Sequence, residues 1–118
     1  MNNTQNNYDL IKYADGDLKM NLYFDRLNNT LMLTVKQMSL LLEKDTSSIR
    51  KQILKLSEQK EFLENNRQKI HVVGVKQKVT VYTKNVLNAL GENNNSIKLK
   101  NFIDWSTNFY NAIKTLNS

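Results

Sequence analysis

The 118-residue chain has room for one domain with a hydrophobic core of its own. It contains no cysteine, which excludes disulfides, thiolate metal sites and cysteine nucleophiles, and its longest apolar runs fall far short of a membrane span. Seventeen Lys and Arg against eleven Asp and Glu give a net charge of +6, and the excess sits in the middle, where Lys36 to Lys100 holds 13 basic and 6 acidic residues. A basic centre between near-neutral ends points to a polyanionic partner. The same excess also occurs in Lys- and Asn-rich proteins with no such partner, so charge alone leaves the question open.

Residues 1–7 have no apolar pattern and are expected to be a disordered tail ahead of a single domain over 8–118. The N-terminus lacks the charged and apolar regions of a signal peptide, so a cytoplasmic location without membrane contact is expected. Leu10 to Tyr13 reads as a strand, Ala14 to Asp17 as a turn, and Leu18 to Asp25 as a second strand. In that second strand Met20, Leu22 and either Phe24 or Tyr23 take the buried face. After Asn28-Asn29, Thr30 to Leu33 returns as a third strand and completes an antiparallel meander.

Thr34 is suited to cap a first helix, whose apolar stripe is Met38, Leu41 and Leu42. A second helix begins at Asp45 or Thr46 and buries Ile49, Ile53 and Leu56. Ile70 to Val75 and Val79 to Tyr82 then read as a hairpin with a basic tip at Lys76-Gln77-Lys78. Thr83 is placed to cap a third helix through Val86, Leu87 and Leu90, which Gly91 ends. A final helix from about Leu99 carries Phe102, Trp105, Phe109 and Ile113 on one stripe. These four are expected in the core, with a dimer seam as the alternative.

Two short helices joined by a tight turn, the second basic on its outer face, form the helix-turn-helix pattern. With the hairpin as a wing, the expected fold is an α+β winged helix-turn-helix with N-terminal strands and a C-terminal helix. It is expected to bind double-stranded DNA as a homodimer, with no metal and no cofactor. The candidate contacts are Lys36 on the first helix, Thr46, Ser47, Ser48, Arg50, Lys51 and Lys55 on the second, and Lys76, Gln77 and Lys78 on the wing. The pattern departs from the usual motif in the turn, where a glycine is common but Glu43 stands. His71 is the only histidine and the three glycines are isolated, so neither a zinc site, a Ser-His-Asp set nor a phosphate-cradling loop is expected. The rival readings are a protein-interaction module of antirepressor type and a binder of structured RNA; an enzyme is the weakest.

The order of several motifs resembles the RhuM-like (virulence RhuM) family. Leu31 to Leu41 is similar to its "W-L-T-x-x-Q-M-A-x-L-F" segment, Ile49 and Ile53 with Glu58 to Phe62 to "I-x-x-x-I … E-E-G-E-L", and Tyr82 to Val86 to "Y-N-L-D-V". Ala89-Leu90-Gly91 resembles "S-V-G", and Phe102 to Thr107 resembles "F-R-x-W-A-T". The resemblance spans roughly residues 8 to 113. It implies a bacterial or prophage-borne DNA-binding protein, a regulator of transcription or of a mobile element that works by occupancy. Met32 replaces the tryptophan and Lys60 the glycine of the family motifs, and the family's longer C-terminal region is not among these residues.

Overall fold

A computed structural model describes residues 8–116. The expected tail at 1–7 lies outside them. The described residues are α+β, with five strands in one antiparallel sheet and five helices. The elements are β1 (Tyr8–Asp15), β2 (Leu18–Asp25), β3 (Thr30–Leu33), α1 (Val35–Leu42), α2 (Thr46–Leu56), α3 (Lys60–Asn65), β4 (Arg67–Ile70), β5 (Val79–Thr83), α4 (Lys84–Leu90) and α5 (Ile97–Leu116). The strand order is β1-β2-β3-β5-β4. None of the helices is long and apolar enough to cross a membrane among the described residues.

The first three strands are the meander that alternation predicts. Leu18 pairs with Asp15 across a two-residue turn in which Gly16 takes φ of 61°, a left-handed conformation open to glycine without a Cβ penalty. Met20, Leu22 and Phe24 alternate onto the helix-covered face, and Tyr23 goes to the other face. There it joins a smaller cluster with Met32, Ile70 and Val81.

The helix-covered face meets α5 through its aromatic stripe. Phe102 is fully buried, with its ring centroid 5.1 Å from that of Tyr13, edge to face. Trp105 lies 4.9 Å from Tyr13 and stacks on Phe109, which reaches Phe24 at 5.4 Å. Ile113 packs against the same cluster. The stripe read as core or dimer seam therefore packs within its own chain.

α5 starts at Ile97, two residues before its expected start, because Ser96 anchors it. The Ser96 hydroxyl oxygen accepts from the Leu99 N–H at 3.3 Å, and its proton goes to the Leu41 carbonyl (2.7 Å) or to Glu43 Oε2 (2.8 Å). One side chain thus ties the last helix to the end of α1.

Two expected roles change. Thr83 precedes α4 as expected, but its hydroxyl donates to Asn66 Oδ1 at 2.8 Å and makes no cap bond. Asn66 also receives the Asn85 amide at 3.1 Å, so Thr83 serves to lock α4 against the end of α3. Gly91 ends α4 with an ordinary φ of −93°. Its necessity is space: a Cβ there would stand 2.6 Å from Leu99 Cδ2 and 3.3 Å from Leu42 Cδ2. Leu42 and Leu99 are both buried and have little room to yield. Gly91→Ala is expected to cost about 1–3 kcal/mol as an overpacked contact, measured by urea unfolding; no loss would mean that α5 rides freely over this site.

Asp25 closes the β2–β3 turn from a buried position. Its carboxylate accepts from the backbone N–H of Leu27 (2.9 Å) and Asn28 (3.3 Å), from the Asn28 side chain (2.8 Å) and from Gln68 (3.2 Å). Burial is the largest single influence and opposes ionisation, but these bonds together outweigh it and hold the pKa below the usual carboxylate value. A carboxyl with a depressed folded pKa stabilises fully above its unfolded value of about 4, and the contribution is lost as pH falls through the folded one. The stability gap between the parent and Asp25→Asn should therefore hold above about pH 4 and narrow as pH falls below it; a constant gap in pH-dependent unfolding would disprove the linkage.

Candidate nucleic-acid interface

α1 and α2 are set by their caps. Thr34 Oγ1 accepts from the Gln37 N–H at 3.1 Å, and Gln37 Oε1 accepts from the Thr34 N–H at 2.9 Å, a complete capping box. Asp45 caps α2 through the Ser48 N–H at 2.8 Å, which resolves the choice between Asp45 and Thr46. Between the helices Glu43 adopts φ 54°, ψ 45°, and its N–H donates to the Ser39 carbonyl. This is the left-handed stop that glycine usually supplies, here held by a glutamate whose carboxylate faces Ser96 and, at 3.9 Å, Lys98. Lys98 and Glu43 are both about half exposed, so the ion pair itself contributes little. A non-glycine residue in this conformation carries a strain of about 1 kcal/mol. Glu43→Gly should accordingly be about 1 kcal/mol more stable than Glu43→Ala in thermal unfolding, since both lose the carboxylate and only one keeps the strain. Equal stabilities would mean that the backbone bears none.

Ile49 and Ile53 pin α2 to the core, with Leu56 half-buried beside them. On the opposite side Ser47, Arg50, Lys51 and Leu54 stand at i, i+3, i+4 and i+7, all exposed, as one outward stripe. The other expected contacts on this helix fall off it. Thr46 and Ser48 are half-buried, and the Ser48 N–H is already engaged by the cap. Lys55 is exposed on the flank.

The N-terminus of α2 is occupied by its own acid. Asp45 is exposed and accepts from Ser47 Oγ as well as from Ser48. The Ser48 backbone N–H above all keeps its pKa below the usual value. The partial positive charge of that helix end is thereby neutralised locally, which leaves the stripe as the electropositive part of α2.

Beside the stripe runs a trough of about 560 Å³ between α2, the start of α1 and the β4–β5 hairpin. Three cations from three elements line it: Lys36 of α1, Arg50 of α2 and Arg67 of β4. Its other lining groups are hydroxyl-bearing or apolar, among them Thr34, Ser57 and Thr80, and no carboxylate is included. A second cavity of about 500 Å³ shares Arg67, Thr80 and Tyr82 and adds Lys69 and Glu64. Arg67 pairs with Tyr82, and Lys69 with Thr80, so both cations project from one face of the hairpin.

The hairpin differs from its expected form. β4 begins at Arg67 and ends at Ile70, so the β-branched run to Val75 is not a strand. Residues 71–78 form the connection, turning at Gly74 with φ 85°. Lys76, Gln77 and Lys78 are exposed on that connection and do not line the trough. Of the expected contacts the trough therefore unites Lys36 and Arg50, and it adds Arg67, with Lys69 close by. These two were legible only as members of a polar segment, Asn65 to Lys69, that gives no alternation to mark a strand.

Among the described residues no three His, Cys, Asp or Glu side chains gather where they could hold a metal ion. No protein-family model, curated protein or solved structure matches the chain.

Proposed function

We propose that the chain is a double-stranded DNA-binding module of the winged helix-turn-helix type. The observation that carries this reading is the trough, where Lys36, Arg50 and Arg67 converge with no carboxylate among them. Three unpaired-sign cations brought together by separate elements suit a phosphodiester backbone, whose negative charges recur along each strand. The connectivity supports the same reading. β3, α1, α2, the six-residue α3 and the β4–β5 hairpin follow in sequence, with β5 between β3 and β4. Apart from the short α3, this matches the strand–helix–helix–hairpin order of a winged helix-turn-helix.

In this reading the outward stripe of α2 enters the major groove and the trough grips the adjacent strand. Arg50, at the border of the two surfaces, can serve a guanine edge or a phosphate. Lys76, Gln77 and Lys78 extend along the backbone beyond the trough. Occupancy of a site is then the mode of action, as a regulator of transcription or of a mobile element, and membership of the RhuM-like family is part of the same proposal on the strength of motif order. A homodimer would have to form elsewhere than at Phe102, which its own chain covers completely.

Replacing Arg50 and Lys51 together by Ala tests the assignment of α2. Both side chains are exposed, so the double variant should unfold at the parent temperature while its affinity for a labelled duplex falls at least ten-fold, about 1.4 kcal/mol. Parental affinity would remove α2 from the interface and favour a surface for protein partners.

A further inference from the structure

We infer that Leu54 reads the 5-methyl group of thymine, which makes it a specificity-determining residue of the α2 surface. The inference rests on the duplex-DNA reading above and gives that surface a preferred base.

Leu54 is 70% exposed although it sits on a helix whose other large apolar residues, Ile49, Ile53 and Leu56, face the core. Single exposed leucines are ordinary on protein surfaces; the position of this one is what matters. It follows Arg50 by four residues and Lys51 by three, so it shares their face of the helix. It also lines the trough together with Lys36, Arg50 and Arg67. Val35, Ile53, Leu63 and Val79 also line it but are buried or half-buried, so Leu54 is the exposed large apolar side chain beside those cations.

That setting selects its ligand. A partner that buried Leu54 would have to desolvate Lys36, Arg50 and Arg67 as well, which is costly unless it brings negative charge to meet all three. A polyanion gains from every one of those cations, and it must then offer the leucine an apolar contact. On the base edges of the major groove the apolar group is the thymine 5-methyl. The minor groove presents none, and uracil lacks it, so the same chemistry favours DNA over RNA.

The test begins with duplexes that the intact chain enriches from a random 30-base-pair pool. These are resynthesised with deoxyuridine replacing each thymidine in turn, which deletes one methyl group and leaves base pairing intact. The parent protein is expected to lose about four-fold in affinity at one or two positions, equivalent to ~0.8 kcal/mol for one buried methyl. Leu54→Ala should lose the same factor on thymidine DNA and be indifferent to the change at those positions, with an unaltered salt dependence because no charge is removed. Indifference of the parent to every replacement, or methyl sensitivity that persists in Leu54→Ala, overturns the role of Leu54 while leaving the DNA reading in place. Enrichment of no sequence does the same. Failure to retain any duplex at low salt overturns the DNA reading and the leucine assignment with it.

Discussion

Phe102→Ala is expected to destabilise the chain by about 3–5 kcal/mol, the range for emptying a buried phenylalanine site. The ring is wholly enclosed between Tyr13 and Trp105, with neighbouring centroids at 5.1 and 5.8 Å. Its removal takes away a link by which α5 grips β1, and Trp105 cannot collapse into the space without leaving its stack on Phe109. Domains of this size have total stabilities of about 5–15 kcal/mol, so the loss is a large part of the whole. The melting temperature should fall by roughly 10–20 °C. The fall should not depend on protein concentration, because the ring is covered by its own chain. A shift that vanishes at high concentration would place Phe102 at a subunit contact instead.

The second large effect concerns charge. Replacing Lys36, Arg50 and Arg67 together by Ala is expected to lower duplex affinity by about 500-fold near ~0.1 M salt, since each neutralised phosphate releases about 0.9 counterion. The slope of log affinity against log salt should become shallower by about 2.7 for the same reason. Arg67 is the informative member. It lies in no helix of the two-helix motif, and it reaches the trough because β4 places it opposite Tyr82. If Arg67→Ala alone leaves the slope unchanged, the trough is not where the backbone lies.

Parts of this arrangement are legible in the sequence because they bury one face. Alternation in Leu18 to Asp25 gives β2, and the threonine and aspartate caps give the starts of α1 and α2. The turn at Glu43 is legible in place but not in conformation, since a glutamate hides the left-handed backbone that a glycine would announce. α3 escapes because its six residues make less than two turns, too few for a helical period to emerge. β4 escapes for the opposite reason to the run that follows it. Arg67, Gln68 and Lys69 are exposed and polar yet paired with β5, while the β-branched residues Val72, Val73 and Val75 have no partner strand and form the connection. Pairing, which is non-local, overrides propensity there. The trough inherits that failure: Lys36 and Arg50 could be chosen from the helices, but Arg67 enters only once the register of the hairpin is known.

The most direct measurement of the central claim is binding of the intact chain to labelled random-sequence duplex DNA across a salt series. Log affinity is predicted to fall linearly with log salt, with a slope of about −2.7 or steeper if at least the three trough cations each neutralise a phosphate. A flat response, or no binding even at low salt, would contradict the account and mean that Lys36, Arg50 and Arg67 line the trough without a polyanion to meet.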